Sequence, residues 1–244
     1  MIQIRKFECL SLVVVIFLMN IVPHETVQGL YWLEEEDTKL VTINLIPGYK
    51  SCNEDSITIS DVEYRVWSPY NSKIGAALTK GLKTLPCSSG SKILYLGIAS
   101  GTTASYLSDI IGKAGLIYGV DFSARALRDL LPVAEKRRNI LPILNDARKP
   151  EQYASVVEAV DMIYCDVAQP KQARLFLDNA KMFLKTKGQS LLAIKARSID
   201  VTASPEKVFE KECEELLSNG FKILRSLRLD PFQKDHMIVH GFFT

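Results

Sequence analysis

The sequence predicts a Rossmann-like α/β fold: a seven-stranded, mostly parallel sheet wound with helices and ending in a β-hairpin, with a small antiparallel β-rich subdomain ahead of it. Three observations predict it. After Gly90, apolar runs without alternation, such as KILYLG and GLIYGVDF, take turns with amphipathic stretches; strands buried on both faces of a parallel sheet, with crossover helices between, read this way. The last two apolar runs, FKILRSLRLD and HMIVHGFF, follow each other with no helical stretch between them. Ahead of all this, Leu30 to Trp67 is a set of short β-rich runs broken by turn signals.

In chain order, Arg5 and Lys6 precede an apolar run from Leu10 to Met19. It matches the core of a secretory signal and is too short to span a bilayer as a helix. Residues 1–22 are therefore read as a leader, either signal-like or an artefact of the gene model. Residues 23–71 form the antiparallel subdomain, with runs at Leu40 to Gly48 and Ile57 to Trp67 separated by a polar stretch. Residues 72–244 form the larger α/β domain. It starts with a linking helix in which Ile74, Ala77 and Leu78 recur at helical spacing, closed by Pro86 and Gly90. Then come KILYLG, a helix over Ser105 to Ile111, GLIYGVDF, a helix over Ala124 to Lys136, and NILPILN; VDMIYCD, LFLDNAKMFL, QSLLAIKA and the two terminal strands follow.

A chain of 244 residues, 47% hydrophobic and 24% charged, buries one substantial core rather than two. The net charge of +2 neither marks nor forbids a polyanionic partner. Five cysteines with no CxxC pair suggest neither a disulfide framework nor a zinc site, and no metal is expected. Arg125, Arg128, Lys136, Arg137 and Arg138 gather on and after one helix, which reads as a solvated charged face.

The chemistry concentrates where the first strand of the sheet runs into Gly97-Ile98-Ala99-Ser100-Gly101-Thr102-Thr103. Glycines let the backbone turn sharply and approach a ligand, and a helix start offers free N–H groups. The string is neither GxGxxG nor a phosphate-binding P-loop. Asp121-Phe122 ends the second strand, where an acid accepts both hydroxyls of a ribose. Asp146-Ala147 ends the third, placed for an adenine amino group, and Asp166-Val167-Ala168-Gln169 ends the fourth. One such acid is an ordinary helix cap; four strand ends carrying Gly or Asp on one edge suit an adenosyl cofactor, S-adenosylmethionine, because ligands of open α/β sheets bind outside the carboxyl ends of the strands. A terminal hairpin on such a sheet is the usual ending of the class I methyltransferase fold.

YLGIASGTT, YGVDFS, NDARKP, CDVAQP and LAIKARSIDVTAS, in this order and spacing, together with NLIPG and YRVWSPYNSK, resemble fibrillarin, the nucleolar box C/D 2′-O-methyltransferase family, over roughly Pro23 to Phe243. The resemblance implies S-adenosylmethionine as cofactor, with Gly97, Ala99, Gly101, Thr102, Thr103, Asp121, Phe122, Asp146, Ala147 and Asp166 to Gln169 around it. It implies ribose 2′-hydroxyls of rRNA as acceptors in pre-rRNA processing, a box C/D small nucleolar RNA as guide, and as partners Nop-type scaffold proteins and a small kink-turn-binding protein. A core histone glutamine is a second acceptor described for the family, and plant members belong to Mediator. Nuclear, nucleolar residence and no stable membrane association are expected, against the apolar leader. Tyr95, where many other methyltransferases carry an acid, is as in fibrillarins; departures are Ile98 where the family usually carries Ala, Asp121 where it carries Glu, IKARSID for IKANCID, and no Gly/Arg-rich region. They leave a non-catalytic paralogue as a further alternative.

A ribose 2′-hydroxyl must be aligned with the methyl donor and relieved of its proton. A lysine near that oxygen stabilises the developing charge. Asp166 and Lys195 are the first candidates, followed by Asp235 and Lys73. Lys195, in the apolar LLAIKA, needs a reason to be there; Lys73 reads equally as a surface helix start, and Asp235 as a turn residue. His236 and His240 give no metal-ligand argument.

Overall fold

The computed structural model describes residues 19–243. Apart from Met19, the apolar leader run lies outside them. Among the described residues no helix is long and apolar enough to cross a membrane.

Five strands, β1 (Asn20–Pro23), β2 (Leu30–Glu34), β3 (Lys39–Ile43), β4 (Ser56–Ile59) and β5 (Val62–Val66), make an antiparallel sheet in the order β1-β2-β3-β5-β4. Its first strand starts at Asn20, ahead of the expected beginning at residue 23. The run from Ile57 to Trp67 is two strands rather than one, because Ser60 and Asp61 both take positive φ (49° and 64°) and turn the chain back; that pair of left-handed residues is the hairpin geometry matching strand twist.

The main sheet holds β6 (Lys92–Leu96), β7 (Leu116–Asp121), β8 (Ile140–Leu144), β9 (Val160–Cys165), β10 (Leu184–Lys195), β11 (Phe221–Arg228) and β12 (His236–Phe243), ordered β11-β12-β10-β9-β6-β7-β8. Strands β6 to β10 run parallel, while β12 is antiparallel to both β10 and β11, giving the doubly wound sheet with a terminal hairpin. The helices are α1 (Lys73–Thr79), α2 (Thr102–Ile111), α3 (Ala124–Arg137), α4 (Gln172–Phe183), α5 (Ala196–Ile199) and α6 (Pro205–Ser218). LFLDNAKMFL is helical within α4. α2 begins three residues before the expected Ser105, with Gly101 as its left-handed cap. Ser72 and Ser123 cap α1 and α3 by accepting from the amides of Gly75 and Ala126, each satisfying one of the amides a helix start leaves without a partner.

Alternate strand residues separate into two cores. Ile93, Tyr95, Ile117, Met162, Tyr164 and Leu191 pack with α1 to α3 and with Leu30, Leu40 and Trp67 of the N-terminal sheet. Leu94, Leu96, Tyr118, Ile163, Cys165 and Leu192 pack with α4 and α6. This two-sided burial is why the strands read as unbroken apolar runs.

A buried charge network joins the N-terminal sheet to α2 and α3. Arg65 on β5 pairs with Glu54 at 2.7 Å and with Asp109 on α2 at 2.6 Å; Arg137 on α3 also meets Asp109 at 2.6 Å. Arg137 is thus not part of a solvated face. Its side chain reaches back beneath α2, and its Nε donates to the Ser51 hydroxyl.

Candidate active site

The carboxyl ends of β6, β7, β8, β9 and β10 frame one cleft of about 230 Å³, lined among others by Gly97, Ala99, Asp121, Phe122, Asp146, Ala147, Asp166, Val167, Ala168, Gln169 and Lys195. Gly97 is left-handed (φ 81°), and a Cβ there would come 2.8 Å from the Asp166 carbonyl oxygen. Only glycine lets the β6 and β9 ends approach so closely. Asp121 accepts from the amides of Ala99 and Ser123 at 2.9 Å each, which ties the glycine loop to the end of β7. Phe122 beside it is 72% exposed, an apolar ring facing solvent at the cleft. Asp146 is held by Arg148 in a bidentate pair reaching 2.6 Å; the Arg148 bond, against mild desolvation, keeps its carboxyl below the ordinary range.

Three loop residues expected around the cofactor do not line this cleft. Gly101 packs under Leu130, whose Cδ1 would lie 2.4 Å from an added Cβ. Thr103 is buried and its hydroxyl bonds Ser72 at 3.0 Å. Thr102 faces a separate polar cavity shared with Cys52, Glu54 and Tyr106. The reason is position: Gly101 is the cap of α2, and Thr102 and Thr103 sit on its first turn, which rotates their side chains away from the strand ends. Ile98 also points inward. It is 2% exposed and lies over Gly119 on β7, where a Cβ would come 2.3 Å from its Cδ1. The bulky residue in the loop is accommodated by an absent side chain on the next strand.

Beside the cleft, two ammonium groups converge on one carboxylate. Lys73 Nζ lies 3.1 Å and Lys195 Nζ 2.8 Å from Asp166 Oδ1, with all three side chains less than one-fifth exposed. Lys195 Nζ also donates to the Asp166 carbonyl at 2.7 Å, and the Tyr164 hydroxyl donates to Oδ2 at 3.2 Å. Burial and the Asp166 charge push the Tyr164 phenol far above its ordinary pKa, so it stays a donor. Lys73, residue 93 positions upstream of Asp166, belongs to this cluster because the Ser72 cap and the Ser72–Thr103 bond set the start of α1 against it.

Asp235 does not join the cluster. Its carboxylate pairs with Arg197 at 3.1 Å, and no ion pair links it to Lys73 or Lys195. At φ 57° it occupies the left-handed bend just ahead of β12, which turns its side chain toward α5. The neighbour His236 is instead the partner of Lys195 across the β10–β12 pairing, which sets it beside the cluster. Its Nδ1 lies 2.6 Å from the Lys234 carbonyl, which can only accept, so Nδ1 carries the proton and Nε2 keeps its lone pair. Burial lowers the imidazole pKa, opposed by the Lys234 bond, while the charges of Lys73, Asp166 and Lys195 all act on it. Sequence reasoning had set His236 aside; its adjacency to Asp235 at a strand start was the only signal.

A second missed residue is Gln172. Fully buried at the start of α4, its amide nitrogen donates to the carbonyls of Val167 and Ala193, and its oxygen accepts from the Lys195 amide at 2.8 Å. It clamps the loop bearing Asp166 to the end of the strand bearing Lys195. Nothing local distinguishes it from any other glutamine opening a helix.

The family model described as Fibrillarin matches residues 21–244. The fibrillarin-like rRNA/tRNA 2′-O-methyltransferase of Pyrococcus furiosus is 51% identical over 212 residues, covering 86% of this chain and 93% of that protein. A crystal structure of Aeropyrum pernix fibrillarin with natively bound S-adenosyl-L-methionine superposes with a TM-score of 0.85 at 49% identity, over 91% of this chain and 97% of that one. A fibrillarin/Nop5p complex gives 0.81 at 39% identity, over 90% of this chain and all of the other.

Proposed function

The chain belongs to the fibrillarin family, and we propose that it is an S-adenosylmethionine-dependent enzyme that methylates ribose 2′-hydroxyls of rRNA, guided by box C/D small nucleolar RNA. The observation that carries this reading is the Lys73–Asp166–Lys195 cluster on the rim of an acid-lined cleft. The cleft fits the cofactor by its donor set: the Asp121 carboxylate suits ribose hydroxyls, the exposed Phe122 ring offers an apolar face to an adenine, and Asp146 with Ala147 closes the far end. When bound, the cofactor supplies an electrophilic methyl group on a sulfonium centre.

The rest is the work of the chain's own side chains. Asp166 gathers the two ammonium groups and fixes their spacing. Their positive charge stabilises an acceptor oxygen as it loses its proton, and their partial burial strengthens that interaction. The lone pair on His236 Nε2 takes the proton. Gln172 keeps Lys195 and Asp166 in register. Ile98, buried over Gly119, leaves the cleft unobstructed, which favours an active enzyme over a non-catalytic paralogue.

A Nop-type scaffold, which accompanies the related fibrillarin in its complex with Nop5p, and a small kink-turn-binding protein complete the assembly in this reading, with nuclear, nucleolar residence. The test is reconstitution with guide RNA and scaffold proteins, followed by mapping of 2′-O-methylation on the target, with core histone as a parallel acceptor. Methylation at the guided nucleotide supports the proposal. Methyl transfer to histone glutamine alone overturns it.

A further inference from the structure

The two loops that lead into Lys73 and His236 carry an aromatic pair. Tyr70 is 66% exposed, and its ring meets Phe232 edge to face at 5.2 Å between centroids. An exposed tyrosine alone is unremarkable. This one is held in place from both sides. Gln233 Nε2 donates to the Tyr70 carbonyl at 2.5 Å and to that of Pro69 at 3.3 Å, lacing the 68–72 loop to the 229–235 loop. The second loop is itself closed by Leu229 N to His236 O (2.9 Å) and Asp235 N to Asp230 Oδ1 (3.3 Å), and Lys80 Nζ bonds the Asp230 carbonyl. Phe232 packs its other side on the core.

Position along the chain adds to this. Tyr70 is three residues from Lys73 and Phe232 four from His236, so their Cα atoms are within about 14 Å of those of the reacting residues even with the chain extended. Neither ring lines the cofactor cleft, and neither do Lys73 and His236. The pair therefore lies off the cofactor cleft, on the two loops that lead into Lys73 and His236.

We propose that Tyr70, propped by Phe232 and Gln233, is a stacking platform for a base of single-stranded or locally unpaired RNA at the acceptor nucleotide. A rigid ring with one open face, three residues from the Lys73 ammonium that suits an adjoining phosphodiester, is the arrangement by which proteins hold unpaired nucleotides without reading their sequence. The inference rests on the RNA acceptor proposed above.

The test is direct binding of a short single-stranded RNA carrying 2-aminopurine to the full chain, without cofactor, followed by fluorescence quenching. The wild type is expected to quench on binding. Tyr70→Ala should bind about tenfold or more weakly and lose the quench, while Tyr70→Phe, which keeps the ring, should behave as wild type; circular dichroism confirms folding of both. Equal affinity and quenching in Tyr70→Ala, or no quenching by the wild type, overturns the platform. Tyr70-dependent binding of a histone tail peptide with no response to RNA also overturns it. Because no turnover is needed, a protein that stacks RNA yet never methylates it would contradict the proposed activity and leave the platform standing.

Discussion

Lys195 grips Asp166 at two points: its Nζ lies 2.8 Å from carboxylate Oδ1 and 2.7 Å from the backbone carbonyl of the same residue. The ends of β9 and β10 are thereby tied through one ammonium, and whatever moves one residue moves the other. A lysine used in this way is already oriented before any acceptor arrives.

Lys195→Ala is accordingly expected to cut methyl transfer by about 100-fold or more while leaving S-adenosylmethionine affinity within a few-fold. Single-turnover methylation and calorimetry on the same preparation check both halves. Retention of guided methylation would remove Lys195 from the reaction.

Asp121→Ala should act on the other side of the site. Losing a charged acceptor for two hydroxyls, and the tether to the Ala99 amide, weakens cofactor binding by about 10- to 100-fold. Calorimetric titration reads this directly, and an unchanged affinity would be decisive against the assignment.

Asp235 and His236 are adjacent, and the structure separates their roles. Asp235→Asn should leave the transfer rate within about threefold, since its partner is the exposed Arg197. His236→Ala should lower it by about 100-fold and flatten the acid limb of the pH–rate profile. The opposite ranking would restore Asp235 to the cluster.

The charge network under α2 predicts a stability effect with no active-site involvement. Asp109→Ala leaves the buried guanidinium of Arg137 without its ion-pair partner and takes from Arg65 one of its two, and should cost about 3 to 5 kcal/mol. Urea unfolding measures it; a loss below 1 kcal/mol would mean that water reaches the arginines.

Glu54 gives the same network a pH signature. Burial raises its carboxyl pKa, but the Arg65 guanidinium and the hydrogen bonds around Cys52 outweigh it and hold the value at about 2. A carboxyl depressed on folding stabilises the protein above its unfolded pKa and loses that stabilisation as pH falls toward the folded one, here from about 4.5 down to about 2. Wild type should therefore lose melting temperature over that window more steeply than Glu54→Gln. Parallel curves would show that the pair does not survive in solution.

Much of this protein was legible in one dimension. Unbroken apolar runs marked strands buried on both faces, and they are so buried: Leu94 and Ile93, neighbours in sequence, belong to opposite cores. The glycine and acids at successive strand ends marked the cleft, because in a parallel sheet all those ends share an edge. Asp166 and Lys195 stood out as charges attached to apolar strands.

What the sequence could not decide is which charges face one another across long separations. Arg137 read as one of five basic residues on a helix surface, yet the fold buries it against Asp109; Lys73 read as an ordinary helix start, yet it reaches a carboxylate 93 residues away. Asp235 and His236 differ by one position, and a left-handed bend sends one to Arg197 and the other to the cluster. Strand periodicity and strand-end chemistry are local properties, set by a few neighbouring residues. The pairing of charges depends on the path of every intervening element, so the cofactor edge was determined by the sequence, and the membership of the reacting cluster only by the packing of α1 and the terminal hairpin against it.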